Sequence, residues 1–531
     1  MKKIARLQLA LAQGKISRRG FMQQGLAAGI SLAALTGATA KAEASTPQKG
    51  GVLRVAKGHG STTDVLDPGK IENGYTIALS LGGYQGYLTQ IDADGLVQPS
   101  LAESWESSPD AKTWVFTLRQ GLEFHNGRNV TPEDVIASVN HHLKEGTTSA
   151  AAPLVAAVTR MAADGPRNVV IELESGNADF PAIMSDYHLA IMPAADDGSI
   201  LWQDHIGCGA YRIESHQAGI QTILTRHDNH WTDAVAHADR IELLSIIDQS
   251  ARISALISGD VHAIDRVDLK TATLLGRKPG VELVTADGTL HYSFPMLCDR
   301  APFDDRDVRM AVKYAVDRQE LVDKILFGFG QVGNDHPIGA NQRYHNDTLE
   351  QRAYDPDKAR HHLKKAGHDR LKIELRASDA AFAGAVDAAL LMQNSMRDAG
   401  IDLEVKRTPN DGFWAEHWMK SPFISSYWSG RPVEDQMFST AYQSGVSWNE
   451  THWSNDRFDT LLIAARAELN DARRREMYHE MQQLVHEDGG ALIPMFASYV
   501  FGVSDKIGRP EKVAANWDMD GERWMERWWI K

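Results

Sequence analysis

Apolar and polar residues follow two regular patterns between residues 101 and 143. Residues 113–118 alternate with a period of two, which predicts a half-buried strand. Thr131 is a suitable N-cap, Pro132 suits the first helical position and Asp134 can complete a capping box, so a helix is expected to begin there. The apolar face of this helix recurs every four residues, at Val135, Val139 and Leu143.

Similar patterns predict helices in the second half of the chain. Asp305 and Asp355 can each cap a helix, and residues 381–400 and 472–488 form further amphipathic segments. Because these helices accompany strand patterns such as residues 50–56, the sequence favours an α/β protein. The inner face of the helix that follows Asp305 is predicted to consist of Val308, Val312, Ala315 and Val316.

The first residues have the features of an export signal. Residues 17–21 read Ser-Arg-Arg-Gly-Phe, the twin-arginine pattern, and a glycine-broken apolar run follows at 26–40. A small-x-small cleavage site lies at 42–44, with 38–40 as the alternative. Residues 1–44 are therefore predicted to be a twin-arginine signal peptide, and the mature protein is expected to be periplasmic.

Charge and length narrow the possible functions. Outside the signal, the chain has 49 basic and 69 acidic residues, so its net charge is near −20. Such a surface repels nucleic acid and anionic lipid, and neither is an expected partner. The mature chain of about 487 residues exceeds a single hydrophobic core, so at least two lobes are expected.

Three longer runs of residues are more specific than these general patterns. Leu-Ala-x-x-Trp occurs at 101–105, Phe-x-Leu-Arg-x-Gly-Leu-x-Phe-His-Asn-Gly at 116–127, and Pro-Phe-Asp-Asp-x-x-Val-Arg at 302–309. All three resemble the family 5 extracellular solute-binding proteins, the peptide and nickel receptors of bacterial ABC importers. In the second run, Leu122 and Asn126 stand where the family has Val and Asp.

The resemblance implies a two-lobed periplasmic-binding-protein fold of type II, in the large dipeptide-binding-like subclass, with a discontinuous first lobe. Lobe I is expected to comprise residues 45–288, with an inserted subdomain around 90–200, and a C-terminal return at 489–531. Lobe II is expected at 289–488. The resemblance further implies a monomer without cofactor that closes on a small solute and docks onto an ABC permease.

The segment Tyr-Trp-Ser-Gly-Arg-Pro-Val-Glu-Asp at 427–435 is the candidate ligand loop. In peptide-binding members of the family it reads approximately Trp-x-[Gly/Ala]-Asp, and that Asp pairs with the peptide amine. Here Arg431 stands in its place, which suits a carboxylate or phosphate instead. Glu434 or Asp435 can still meet an amine if the loop is displaced by a turn, and a core role for the aromatic residues is the alternative. The predicted ligand-binding residues are Tyr75, Trp428, Gly430, Arg431, Glu434, Asp435, Tyr442 and Trp448.

Other motifs in the sequence give little support for a nucleotide site or a metal site. Residues 328–333 satisfy Gly-x-Gly-x-x-Gly, but a predicted helix precedes them where a dinucleotide site needs a strand. His227 and His230 can share an ion or be solvated loop residues, so no metal site is predicted. Cys208 and Cys298 can form a disulfide after export or remain two small buried thiols.

Three hypotheses follow for the function. The first is a receptor that captures a peptide-like solute for an ABC importer. The second is a receptor of the same fold for an anionic opine-like or sugar-containing solute, which Arg431 favours. The third is a periplasmic enzyme, since twin-arginine export often serves cofactor-bearing oxidoreductases, although the chain has no cofactor motif.

Replacing Arg18 and Arg19 with Lys is expected to leave the precursor in the cytoplasm, because the twin-arginine pair is the address that the export machinery reads. Immunoblotting of periplasmic and cytoplasmic fractions measures this. An unchanged periplasmic yield of mature protein would refute the assignment of the signal.

Overall fold

The computed structural model of the protein describes residues 46–431 and 433–531. The predicted twin-arginine signal at 1–44 lies outside the described residues. Within the described part of the chain, no helix is long and apolar enough to cross a membrane.

The strands form one large mixed sheet and several smaller ones. The strands are β1 (Val52–Lys57), β2 (Thr89–Ile91), β3 (Val97–Pro99), β4 (Ala102–Ser107), β5 (Thr113–Leu118), β6 (Val158–Asp164), β7 (Asn168–Leu173), β8 (Tyr211–Gln217), β9 (Gln221–Arg226), β10 (Arg240–Ser245), β11 (Ala263–Ile264), β12 (Val281–Pro295), β13 (Gly330–Val332), β14 (Leu371–Ala377), β15 (Ile401–Arg407), β16 (Ser426–Trp428), β17 (Ala491–Ser504), β18 (Ile507–Gly508) and β19 (Trp529–Ile530). Among the described residues, the large sheet has nine strands in the order β16-β12-β17-β11-β1-β10-β9-β8, with β13 paired to β17. A second sheet has the order β4-β5-β7-β6, and the remaining pairs are β2-β3, β14-β15 and β18-β19.

The helices pack around these sheets, and the longest of them lie in the second half of the chain. They are α1 (Gly74–Ala78), α2 (Pro132–His141), α3 (Ala152–Val155), α4 (Phe180–Ile183), α5 (Gln249–Ser258), α6 (Leu269–Leu275), α7 (Arg306–Tyr314), α8 (Arg318–Ile325), α9 (Pro356–Lys365), α10 (Ala385–Asp398), α11 (Phe413–His417), α12 (Glu434–Ala441), α13 (Asp456–Ala467), α14 (Asp471–Asp488), α15 (Asp518–Gly521) and α16 (Trp524–Arg527).

The predicted strand and helix between residues 113 and 143 both form. In β5, Trp114, Phe116 and Leu118 are buried and alternate with half-buried residues, as the period of two requires. The side chain of Asp134 accepts a hydrogen bond of 2.9 Å from the backbone nitrogen of Thr131, which is the capping-box contact. Local sequence therefore fixes this unit, which has a hydrophobic core of its own.

Two long strands join the two lobes. β12 and β17 pair antiparallel from Val281 and Ser504 at one end to Pro295 and Ala491 at the other, and the register shifts between residues 287 and 291. On one side of this shift the strands contribute to the core that contains β1, and on the other to the core that contains α7 to α10. Because one strand pair serves both cores, the register shift lies where this pair passes from one core to the other.

The C-terminal segment returns to the first lobe. Trp524 and Trp528 are fully buried in the same core as β1. Glu522 accepts a hydrogen bond of 2.6 Å from the ammonium group of Lys57, which is itself completely buried at the end of β1. This buried ion pair ties the last residues of the chain to its first strand.

The remaining motifs take structural roles. Gly330–Val332 of the Gly-x-Gly-x-x-Gly segment form β13, which follows helix α8 and pairs with β17, so the arrangement is not that of a dinucleotide site. Cys208 and Cys298 are both free thiols. The residue boundaries of the lobes stay predictions.

Candidate functional site

A cleft lies between the lobes where β12 crosses from one to the other. Its volume is about 580 Å³, and it is lined by the crossing strand at Leu283 to Asp287, by lobe I residues such as Asn516, and by lobe II residues such as Arg431 and Glu434. The volume is within the range of small-molecule sites. We refer to this space as the interlobe cleft.

The candidate ligand loop is set directly on the crossing strand. Strand β16 pairs with β12, with Trp428 opposite His291. Two residues later, the backbone of Gly430 approaches Thr289 so closely that a Cβ atom at this glycine would lie 1.4 Å from the Thr289 hydroxyl oxygen. Because that distance is impossible, only glycine permits this path, and the loop backbone has a fixed position relative to the strand that joins the lobes.

Arg431 follows at the wall of the cleft. Its guanidinium donates to the carbonyl oxygens of Ser429 and Gly430 at 3.2 and 3.3 Å and lies 5.8 Å from the centre of the Trp428 ring. No carboxylate of a described residue lies within 4.0 Å of the guanidinium. Burial lowers the pKa of Arg431, since it removes water from a charged group. Tyr187 and Asp186 oppose this shift only through longer-range attraction, so the cation that lines the cleft has no ion-pair partner among the described residues.

The two acidic residues of the loop are engaged elsewhere. Glu434 accepts a hydrogen bond of 2.8 Å from the backbone nitrogen of Tyr344, and Asp435 forms an ion pair of 3.0 Å with Arg466. Burial raises the pKa of Glu434 to about 7 and that of Asp435 to about 6. Neither residue pairs with Arg431.

The other predicted ligand-binding residues fall into two groups. Trp428 and Trp448 lie together, with ring centres 6.0 Å apart, beside Arg431. Tyr75 is fully buried in the lobe I core, where its hydroxyl lies 2.8 Å from the hydroxyl of Thr222, and Tyr442 is buried in a lobe II core. Neither tyrosine lines the interlobe cleft.

Sequence reasoning missed a second cavity, of about 280 Å³, that also has Arg431 in its wall. Its other walls include Trp414, Trp418, Tyr427 and the already predicted Trp448. The spacing of four between Trp414 and Trp418, at the end of a short helix, places them near each other and is the signal that could have indicated it. We refer to this space as the aromatic cavity.

Sequence reasoning also missed an ion pair between the lobes. Arg474 of helix α14 donates to both carboxylate oxygens of Asp179, which precedes helix α4 of the inserted unit; one of these bonds measures 2.7 Å. The backbone nitrogen of Ala178 donates to the carbonyl oxygen of Arg466 at 2.7 Å beside it. We call these two contacts the interlobe latch, because both join the two lobes and Asp179 also lines the interlobe cleft.

Comparison with known proteins agrees with this architecture. The model for bacterial extracellular solute-binding proteins, family 5 Middle, matches residues 97–450, which is more than half of the chain. The chain belongs to this family. Heme-binding protein A of Haemophilus influenzae is 24% identical to it over 506 residues, covering 87% of this chain and 92% of that protein. Di/tripeptide-binding protein 1 of Pseudomonas aeruginosa is 24% identical over 458 residues, covering 80% of this chain and 85% of that one.

Solved structures in the same family confirm the predicted two-lobed α/β fold. The periplasmic binding protein AgaA from A. tumefaciens R10, solved in complex with agropinic acid, superposes with a TM-score of 0.70 and 21% identity. The match covers 91% of this chain and 99% of AgaA. These family 5 matches are to binding proteins rather than to enzymes.

The histidines supply no metal centre within the part of the chain that the structure describes, where no group of three or more His, Cys, Asp or Glu side chains could hold an ion. The backbone nitrogen of His230 donates a hydrogen bond of 3.2 Å to the carbonyl oxygen of His227, and no hydrogen bond between their side chains occurs among the described residues.

Asp179→Asn is expected to open the unliganded protein. The substitution leaves the almost fully buried Arg474 without its charged partner, which costs up to about 3–5 kcal/mol while the lobes keep this arrangement and is relieved when they part. Small-angle scattering should show a larger radius of gyration. The matched control is Glu480→Gln. Glu480 lies on helix α14, as Arg474 does, and forms an exposed ion pair with Arg457 of helix α13, so its replacement should leave the scattering profile unchanged. Equal profiles for wild type and Asp179→Asn would contradict a role of the latch in closure.

Glu434→Gln is expected to stabilise the protein at pH 8 and to have little effect at pH 5. Because the folded-state pKa is raised to about 7, the buried carboxylate is destabilising above that pH, and stability returns as pH falls toward the unfolded pKa near 4.5. Glutamine keeps the acceptor for Tyr344 and should gain about 2–3 kcal/mol at pH 8. Denaturant unfolding at both pH values measures it, with the exposed Glu416→Gln as control. An equal gain at both pH values would mean that charge is not the cause.

Proposed function

We propose that the protein is a periplasmic receptor of an ABC importer that captures a small peptide-like solute between its lobes and delivers it to a membrane permease. The observation that carries this proposal is the interlobe cleft of about 580 Å³, which both lobes line. Arg431, a partly buried cation in its wall with no carboxylate within ion-pair distance among the described residues, indicates that the solute has an acidic group, such as the carboxylate of a peptide. The solute is proposed to present its acidic group to this residue.

The physical reason is the cost of an arginine that is withdrawn from water. Two neutral carbonyl oxygens of its own loop are the only hydrogen-bond partners of its guanidinium among the described residues, so the remaining N–H donors of that group are available. A carboxylate can accept two parallel hydrogen bonds from a guanidinium and offset the loss of hydration. Glu434 and Asp435 are occupied by other partners and therefore leave this role to the ligand.

A second candidate is a receptor for an anionic opine-like or sugar-containing solute. Arg431, in place of the family's amine-binding Asp, favours it, and the related AgaA structure contains agropinic acid. The alternative of a periplasmic enzyme has no support among the family matches, which are to binding proteins.

A thermal-shift screen of peptides, opines and sugar acids tests the proposal. A receptor is stabilised by its solute without consuming it, so the shift should persist and the solute should be recovered unchanged. The bound protein should also be more compact by small-angle scattering, since the lobes close on the ligand. Turnover of the stabilising compound would favour the enzyme instead.

Arg431→Ala is expected to weaken binding of the stabilising solute about thirty-fold or more, since loss of a desolvated charged contact typically costs about 2–5 kcal/mol. The unliganded fold should be almost as stable as wild type, because the side chain makes only intraloop bonds. Isothermal titration calorimetry measures the affinity. Arg343→Ala is the matched control: Arg343 also lines the cleft but already pairs with Asp471 at 2.7 Å, so its loss should matter much less. Wild-type affinity in Arg431→Ala would exclude contact with the solute.

A further inference from the structure

The aromatic cavity is built from rings that face one another at steep angles. Trp418 and Trp448 have ring centres 6.1 Å apart at 75°, Trp414 and Trp418 are 6.3 Å apart at 83°, and Trp414 and Tyr427 are 5.8 Å apart at 62°. Edge-to-face packing is an arrangement that the ring quadrupoles favour, so these rings form a wall of defined geometry. The volume of about 280 Å³ is large enough for one or two fused rings.

One buried carboxylate positions these walls. Glu450 accepts hydrogen bonds from the indole nitrogens of Trp418 and Trp428 at 2.7 and 2.9 Å. It also accepts from the hydroxyl groups of Ser426 at 2.7 Å and Ser293 at 3.1 Å. Ser293 belongs to the crossing strand β12, so a single side chain connects two walls of the cavity to the strand that joins the lobes.

The cavity exposes an unusual amount of aromatic surface. Trp448 is 47% exposed and Tyr427 is 40% exposed, although both lie beside largely buried rings. Aromatic residues at an interface with one open face are typical of binding sites, because covering that face releases water from a large apolar area. The feature that selects the occupant is Arg431, which is shared by the walls of the aromatic cavity and of the interlobe cleft.

We propose that the aromatic cavity receives a planar ring of the solute whose acidic group meets Arg431, and that Glu450 is the positioning residue that gives the cavity its preference for rings. The inference rests on the proposed function and specifies its substrate class: small acids that carry an aromatic or heteroaromatic ring. A cationic group would also be attracted to the ring faces, but the positive charge of Arg431 at the rim repels it. An aliphatic chain would fill the space without matching the edge and face charges of four indoles and a phenol.

Two ligands that differ only in their ring test this inference. N-acetyl-tryptophan and N-acetyl-alanine have the same carboxylate and amide, so both can reach Arg431, and only the first has a ring for the aromatic cavity. Calorimetric titration into the full mature protein should give an affinity for N-acetyl-tryptophan at least about ten-fold higher, as expected for burial of one aromatic ring.

Two variants assign the preference to the cavity. Trp448→Ala should lower the affinity for N-acetyl-tryptophan to that for N-acetyl-alanine and leave the latter unchanged. Glu450→Gln replaces one acceptor oxygen by an N–H donor that opposes the indole or hydroxyl donors, and should reduce the ring preference in the same way. If Glu450 only stabilised the fold, Glu450→Gln would lower the affinities for both ligands by the same factor. Phe327→Ala, which removes a 43% exposed aromatic residue elsewhere, should change neither affinity.

The outcomes separate this inference from the proposed function. Equal affinities for the two ligands in wild type, including no binding of either, would overturn the inference, as would an unchanged ring preference in Trp448→Ala. If Glu450→Gln does not fold, Trp448→Ala decides, since the exposed Trp448 carries little of the core. A screen in which no solute of any class stabilises the protein would overturn the proposed function itself.

Discussion

The antiparallel pairing of β12 with β17 is the constraint on which both lobes depend. These strands run through the cores on either side of the register shift at residues 287–291, so neither lobe can rotate without changing their local geometry. The ligand loop is attached to the same place, because Gly430 rests on Thr289 and Glu450 bonds to Ser293. Motion of the lobes and geometry of the site are therefore coupled through one strand pair.

The charged residues around the cleft have two different roles. Asp179, Asp435 and their arginine partners are paired across or within the lobes, where they hold the elements they join in one arrangement. Buried ion pairs add little net stability, since desolvation offsets most of their attraction, but they penalise every arrangement that separates them. Of the two cleft arginines discussed, Arg343 pairs with Asp471 whereas Arg431 has no such partner among the described residues, so Arg431 is the one free to meet an acidic group.

Local features of the fold were predictable from sequence, and long-range ones were not. The capping residues Thr131 and Asp305 act on neighbours within three positions, so their roles can be read from the chain. Trp428 and Arg431 are close in sequence and remain close in the site. Asp179 and Arg474 are 295 positions apart, and only the folded chain brings them together. Tyr75 was included in the predicted site but lies in a hydrophobic core. Aromatic residues occur both in cores and in binding sites, and residue type alone does not distinguish the two.

The close approach at Gly430 means that residue 430 must stay glycine, whereas the neighbouring residue 431 can change. A side chain at 430 would displace the crossing strand, whereas the side chain at 431 extends beside open space and makes only bonds to its own loop. Replacement of this one residue can therefore reverse the charge at the wall of the cleft without any repacking of the core.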